Sequence, residues 1–201
     1  METHAETNEK ITQVISFDIG IKNFAFCILN VATNSKKEKR EIIKYLEVID
    51  LGTKKGANIQ NTIDACLRVL DEIVYQKLDL SLDTVVLIES QMTSVMKCIQ
   101  TAINVFFKVI AKYDSLNVAT KYLSAKHKLS LIQQYSDYVE PECKTTSQYR
   151  KNKQDSVHFS LWLLETKIMD NDILQKIKAA KKKDDMADCL LMCVYYANCC
   201  M

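Results

Sequence analysis

The stretch Ile11 to Ile28, ITQVISFDIGIKNFAFCI, admits few folds. Val14, Ile15 and Phe17 are β-branched or aromatic, Gly20 interrupts the run, and Phe24-Ala25-Phe26-Cys27-Ile28 resumes it. That pattern predicts two strands joined by a tight glycine turn. Asp18 closes the first strand. A carboxylate at the end of an apolar strand costs several kcal/mol, in order of magnitude, unless a partner or a cation compensates it.

Two remote segments repeat the anomaly. Thr84-Val85-Val86-Leu87-Ile88 is a second apolar strand, and it ends on Glu89. Asp185-Met186-Ala187-Asp188 opens an almost wholly apolar helical run, Cys189 to Ala197. At a spacing of three, Asp185 and Asp188 fall on one helix face, one turn apart. Asp18, Glu89, Asp185 and Asp188 thus form an all-oxygen donor set of the kind that suits Mg²⁺ or Mn²⁺. Two such ions held about 3.5–4 Å apart can activate a water and stabilise the leaving oxygen of a phosphodiester. Asp184 points about 100° away from Asp185 on a helix and is expected as an N-cap or first-turn acid.

Composition narrows the remaining classes. At 201 residues, 48% hydrophobic and 26% charged, the chain is expected as one globular domain over residues 11–201 after a flexible lead, 1–10. No continuous apolar run approaches the roughly 18–20 residues of a membrane span. Residues 1–10 carry Glu2, Glu6 and Glu9 and do not resemble a signal peptide, so a cytoplasmic location is expected. Of the eight cysteines, Cys27, Cys66, Cys98, Cys189 and Cys193 sit inside apolar patterns and no C-x-x-C pair occurs. They read as buried thiols, and three scattered histidines supply no zinc-ligand spacing. His158 reads as a surface histidine.

The net charge of +2 does not by itself point to nucleic acid, but its distribution is uneven. Cys143 to Gln154 holds Lys144, Arg150, Lys151 and Lys153 with no acid; Lys176 to Lys183 holds Lys176, Lys178, Lys181, Lys182 and Lys183 with none. Such runs are ordinarily solvated faces. Beside a carboxylate site they are well placed to hold phosphates.

In chain order, Phe24–Val31 and Glu41–Leu51 read as the second and third strands, joined by the polar connection Ala32 to Arg40. Gly52 to Asn58 reads as a crossover before a helix with Ile59, Ile63, Cys66, Leu67, Leu70, Ile73 and Val74 on one face. After Glu89 a long helix is expected from Met92 to Tyr113. Its stripe is Met92, Val95, Met96, Ile99, Ala102, Ile103, Phe106 and Ile110, widened by Phe107 and Val109 beyond what one sheet contact needs. Asn117–Leu123 reads as a fifth strand. Ser124 to Ser156, with Pro141, has the weakest periodicity, and a helix follows from Ser156 to Lys167 with Val157, Leu161, Leu164 and Ile168 on one face. Phe159 and Trp162 are expected in the core or at a subunit surface.

The order of these motifs resembles the RNase H-like superfamily, and within it the RuvC-type Holliday junction resolvases of the poxvirus branch. The resemblance rests on F-D-I-G-x-K-N (Phe17 to Asn23), the strand-end Glu89, Y-R-x-x-K-x-x-S-V (Tyr149 to Val157) and D-D-x-A-D (Asp184 to Asp188). It runs from Gln13 to Asn198. It implies an α/β fold with a five-stranded mixed sheet flanked by helices, and a Mg²⁺-dependent endonuclease cutting four-way DNA junctions in viral replication or recombination intermediates. The metal ligands it implies are Asp18, Glu89, Asp185 and Asp188, holding two Mg²⁺ ions for which Mn²⁺ can substitute. Lys153 resembles a catalytic lysine of the family, Lys126 or Lys128 a basic residue facing the scissile phosphate, and Arg150 and Lys151 further DNA contacts. The long helix after Glu89 resembles the element that pairs two subunits in this group. This chain departs from the family pattern at Asn152, Gln154 and Asp155, where the family is more basic.

Three other readings share some of these features. Another RNase H-like nuclease, acting on RNA or an RNA–DNA hybrid, would use the same carboxylates. Nucleotide-binding proteins of the actin or sugar-kinase kind also begin with Asp-x-Gly-x-x-Asn, here Asp18 to Asn23, but need more glycine-rich phosphate loops than three glycines allow, so no nucleotide cofactor is expected. A non-catalytic protein that binds branched DNA is the third.

Overall fold

A computed structural model describes residues 9–52, 58–124, 126–142 and 147–201. The part of the lead before Glu9, and Gly56, Cys143 and Lys144, lie outside the described residues. The first strand, β1 (Lys10–Asp18), lies at the centre of a five-stranded sheet. β2 (Phe24–Thr33) pairs antiparallel with β1, and β3 (Lys39–Ile49) antiparallel with β2. β4 (Asp83–Glu89) pairs parallel on the other side of β1, and β5 (Val118–Leu123) parallel with β4. The order is β3-β2-β1-β4-β5, the mixed sheet expected from the sequence.

Gln13 to Phe17 is buried without a break because helices cover both faces of the sheet. Strand side chains alternate between faces. Ile15 and Phe17 therefore enter one core, with Phe24, Phe26 and Ile28, against α1 (Ile59–Gln76) and α2 (Ser94–Tyr113). Val14 enters the opposite core, with Cys27, Leu29 and Leu87. That core is closed by α4 (Gln148–Thr166), α5 (Asn171–Ala179) and α6 (Lys183–Cys199). Ser16 shares the face of Val14, and its buried hydroxyl donates to the Cys189 carbonyl at 2.8 Å. One hydrogen bond thus fixes α6 against the middle of β1.

The structure shifts several expected details. Lys10 already belongs to β1 and pairs with Asp83, the first residue of the neighbouring strand β4, at 2.9 Å. β3 begins at Lys39, because Asn34 closes the preceding turn by accepting from the Lys36 and Glu38 amides at 3.0 and 2.9 Å. α2 starts at Ser94, leaving Met92 exposed, and Phe107 is a fully buried core residue rather than an extension of the stripe. α2 is also long and apolar enough to span a membrane by length and composition, with a mean hydropathy of 1.3. A run-length reading misses this because Lys97, Lys108 and Lys112 interrupt it. Ile99, Ile103, Phe107 and Ile110 nevertheless pack into the core, while Val95, Val105 and Val109 face outward. Cys98, expected inside, is exposed on this helix.

α4 begins eight residues before the expected Ser156, and its inner face is Ser156, Phe159, Ser160, Leu163 and Leu164. The polar positions Ser156 and Ser160 hide the period in the sequence. α5 occupies part of the lysine run and was not expected; Leu174 and Ile177 anchor it while Lys176 and Lys178 stay outside. Lys121 of β5 lies over the Tyr196 ring, 4.8 Å from its centroid, joining the sheet edge to α6.

Gly20 is required by the turn after β1. A Cβ built there would stand 2.6 Å from the Asn23 carbonyl oxygen, a backbone atom that cannot swing away. Gly20→Ala should lower the unfolding free energy by about 1–3 kcal/mol, read from the urea midpoint at unchanged slope. A midpoint equal to wild type would show that the turn relaxes freely.

Candidate active site

Strand parity and register bring the acids together. Asp18 lies on the face of Val14 and Ser16, the face that α6 covers. In the parallel β1–β4 ladder Ser16 is opposite Leu87 and Phe17 opposite Ile88. Continuing that register by one residue sets Glu89 beside Asp18 at the carboxyl ends of the two strands. The Ser16–Cys189 bond holds the start of α6 over this edge, and Asp188 is the neighbour of Cys189. A cleft of about 390 Å³ opens there, lined by Asp18, Glu89, Asp185 and Asp188 together with Lys126, Lys128 and Lys153. The four carboxylates singled out in the sequence share one cavity.

Lys128 stands among them. It comes from α3 (Lys126–Ser130), a short helix after β5 that continues into a 3₁₀ turn, Leu131–Gln134. Its ammonium lies 3.0 Å from Glu89 Oε1 and 2.7 Å from Asp188 Oδ2. The Lys128 side chain is 8% exposed, so it is not a surface phosphate contact as it stands. Lys126, two residues earlier, is exposed at the cleft wall. Asp188 also accepts from Ser156 of α4. Lys153 projects from α4 into the cleft, pairs with Asp184 and lies 5.2 Å from the Tyr149 ring centroid. Asp184 is a first-turn acid of α6, as its spacing predicts, and not a member of the carboxylate group. Arg150 and Lys151 occupy the first turn of α4 and do not line the cleft.

Crowding acids in a place poor in water changes their chemistry. Burial, reinforced by repulsion from Glu89 and Asp188, pushes the Asp18 carboxyl up to about 8. Burial also raises Asp185 and Asp188 above the usual carboxylate range. Burial would lower Lys128, but Asp188 and Glu89 outweigh it and hold the ammonium firmly charged. Lys153 is likewise raised by Asp184 and Tyr149 against the pull of burial, and Asp184 is lowered, again against burial, by Lys153. Shifts of this size, set by desolvation and named charge partners in a cleft, are typical of functional sites.

The residues fit a hard divalent cation. The donors are all carboxylate oxygens. Asp185 Oδ2 is buried with no hydrogen-bond partner. Burial, with Glu89 and Asp188 beside it, holds the Asp18 carboxyl high, and Lys128 offsets this only in part. Among the described residues no three Asp, Glu, His or Cys side chains converge closely enough to cage an ion as they stand. Glu89 and Asp188 are instead engaged by Lys128.

Sequence reasoning assigned no role to Ser156, although it is the serine of the quoted Tyr149 to Val157 motif, or to Asn152, which lines the cleft where the family resemblance has a basic residue. Tyr149 and Asn23 were inside quoted motifs without an assigned role, and both line the cleft.

No protein-family model and no curated protein sequence matches the chain. Among solved structures, Thermus thermophilus RuvC aligns over 93% of this chain and 95% of that one, with a TM-score of 0.53 and 12% identity. T. thermophilus RuvC in complex with a Holliday junction substrate aligns over 94% of both chains, with a TM-score of 0.46 and 11% identity. Identity this low speaks to architecture alone: the chain has a RuvC-like, RNase H-like fold.

Proposed function

We propose that this protein is a divalent-metal-dependent endonuclease that resolves four-way DNA junctions by paired nicks. The observation that carries the reading is the convergence of Asp18, Glu89, Asp185 and Asp188, from two strand ends and one helix start, in a single cleft walled by lysines. The RuvC-like fold and the sequence motifs support it. Following the resemblance, its setting would be viral recombination intermediates or concatemers in the host cytoplasm.

Asp18, Glu89, Asp185 and Asp188 would hold two Mg²⁺ ions, or Mn²⁺ in their place. Bound there, the metal would activate a water and stabilise the leaving oxygen of the phosphodiester. Lys153, at the cleft wall and only partly buried, would exchange Asp184 for the scissile phosphate and offset charge developing on it. Lys126 would contact the backbone beside it, and Arg150 and Lys151 the flanking strand. Recognition would follow junction shape and phosphate positions more than base edges. The outward face of α2, with Val95, Val105 and Val109 each 45–50% exposed, would pair two copies so that two sites face a near-symmetric junction.

The deciding experiment is cleavage of a synthetic mobile four-way junction in Mg²⁺ or Mn²⁺, beside a linear duplex and an RNA–DNA hybrid. Symmetric nicks in opposed strands are expected. Cutting of the hybrid alone would make the protein a ribonuclease on the same fold, and no cutting of any substrate would leave a binding protein. Asp18→Asn, Glu89→Gln and Asp188→Asn should abolish cleavage yet keep or tighten junction binding, since negative charge beside phosphate is removed. Parallel loss of binding and cutting would contradict the assignment.

Metal affinity should depend on pH. Asp18 keeps a proton up to about 8 in the metal-free fold and is deprotonated above 3.8 in the unfolded chain. Between those values the native state holds the extra proton, so metal-free stability falls as pH rises. Metal must displace the same proton, so Mg²⁺ affinity should rise by up to about tenfold per pH unit below 8 and level off above it. Calorimetry in buffers of different ionisation heat should find about one proton released per complex at pH 6–7. Affinity that is flat from pH 6 to 9 would exclude a protonated Asp18.

Val105→Glu with Val109→Glu should leave the monomer folded, because both sites are exposed, while abolishing self-association in sedimentation velocity and paired nicking with it. A dimer that survives both charges would place the seam elsewhere.

A further inference from the structure

Lys128 is placed unlike the other lysines of the cleft. Lys126, on the same short helix, is exposed, and the Lys153 side chain is 35% exposed against 8% for Lys128. The Lys128 ammonium contacts carboxylates from two different elements, Glu89 of β4 at 3.0 Å and Asp188 of α6 at 2.7 Å. Its helix is pinned by Leu131, which is fully buried. Resting on the metal reading above, we infer that Lys128 is a resident cation of the site, one that a divalent ion must displace outward into the cleft.

Three considerations carry this. The first is space. A Mg²⁺ ion takes oxygen ligands at about 2.0–2.1 Å, so an ion held by Glu89 and Asp188 would need the volume the ammonium fills. A monocation and a dication at one position also repel strongly in a medium of low dielectric.

The second is charge. Asp18, Glu89 and Asp188 share one buried ammonium, that of Lys128, while Lys153 is tied to Asp184 and faces Asp185. That single charge offsets the repulsion between Glu89 and Asp188, and is too little to satisfy all three acids. The pocket therefore stays assembled without metal and still attracts it.

The third is an exit. Lys128 lines the same open cleft as Lys126 and Lys153, and a lysine stem has four rotatable carbons that let the head group turn while the helix stays in place. Turned outward, the ammonium enters the space where a phosphate would lie. Metal loading and presentation of Lys128 to the substrate then become one event.

The test uses the full wild-type chain. Brief acetylation with an amine-reactive ester, read by mass spectrometry, reports Lys128 relative to Lys126 in EDTA and in saturating Mn²⁺, with Mn²⁺ binding measured calorimetrically on the same preparation. The expected result is a protected Lys128 in EDTA whose labelling ratio rises severalfold with Mn²⁺. Lys128→Met should bind Mn²⁺ about tenfold more tightly, the competing charge being gone. Should that variant fail to fold, the wild-type labelling decides alone. Mn²⁺ heat with an unchanged labelling ratio overturns the displacement and leaves the metal site standing. A Lys128 already reactive in EDTA overturns the resident contact. Absence of Mn²⁺ heat overturns both the displacement and the metal reading.

Discussion

Three carboxyl groups crowded in a buried pocket cannot all carry charge without a cation among them, and the structure is arranged around that constraint. Asp18 and Glu89 are neighbours across a parallel ladder, and Asp188 descends on them from α6. Removing one partner from a buried ion pair typically costs about 3–5 kcal/mol, because the survivor keeps its desolvation penalty without its attraction. The Lys128 contacts therefore offset the repulsion of the acids where the sheet edge meets α6. Everything that positions Lys128 serves the same end: β5 delivers α3, and the buried Leu131 fixes it.

The frame that resists the repulsion is the pair of cores on either side of β1. Phe17, Phe24, Phe26 and Phe107 form a connected aromatic group on one side, with ring centroids of Phe17 at 5.5, 6.5 and 5.8 Å from the other three. On the other side α6 is buried along Met186 to Val194 except at Asp188. Strand periodicity makes these cores and the acids inseparable. Because side chains alternate, a one-residue slip of β1 would send Asp18 into the aromatic core and Phe17 toward α6. The register that buries the phenylalanines is the register that aims the carboxylates.

That coupling explains why so much was readable in the sequence. Period-2 strands ending on Asp18 and Glu89, and an i, i+3 pair opening an apolar helix, encode both the sheet and the convergence of its acids. What could not be read depends on geometry across elements. Ser156 and Ser160 replace apolar residues on the inner face of α4, so its start and its face were misplaced by periodicity alone. α5 looked like a lysine run because Leu174 and Ile177 are too few to announce a helix. The depth of Lys128 is not legible, since nothing in Lys-His-Lys-Leu-Ser tells how far a short helix tucks a side chain inward. Cys98 sits at an apolar period on a helix that turns part of its apolar surface outward, so pattern predicts burial and topology denies it.

The two paired lysines of the cleft also differ in how readily they can be released. Lys153 and Asp184 are 35% and 21% exposed, so solvent and salt screen their attraction and little is lost when Lys153 turns to another anion. Lys128, with Glu89 at 12% and Asp188 at 16% exposure, is held where screening is weak. A phosphate approaching from the cleft mouth can compete for Lys153 directly. It cannot draw Lys128 out without leaving Glu89 and Asp188 facing each other uncompensated. A charge that enters the pocket itself can take over that contact, and a divalent cation brings more than the ammonium it would replace. In the proposed function the depth of each lysine would set an order: metal would act on Lys128, and the nucleic acid backbone on Lys153.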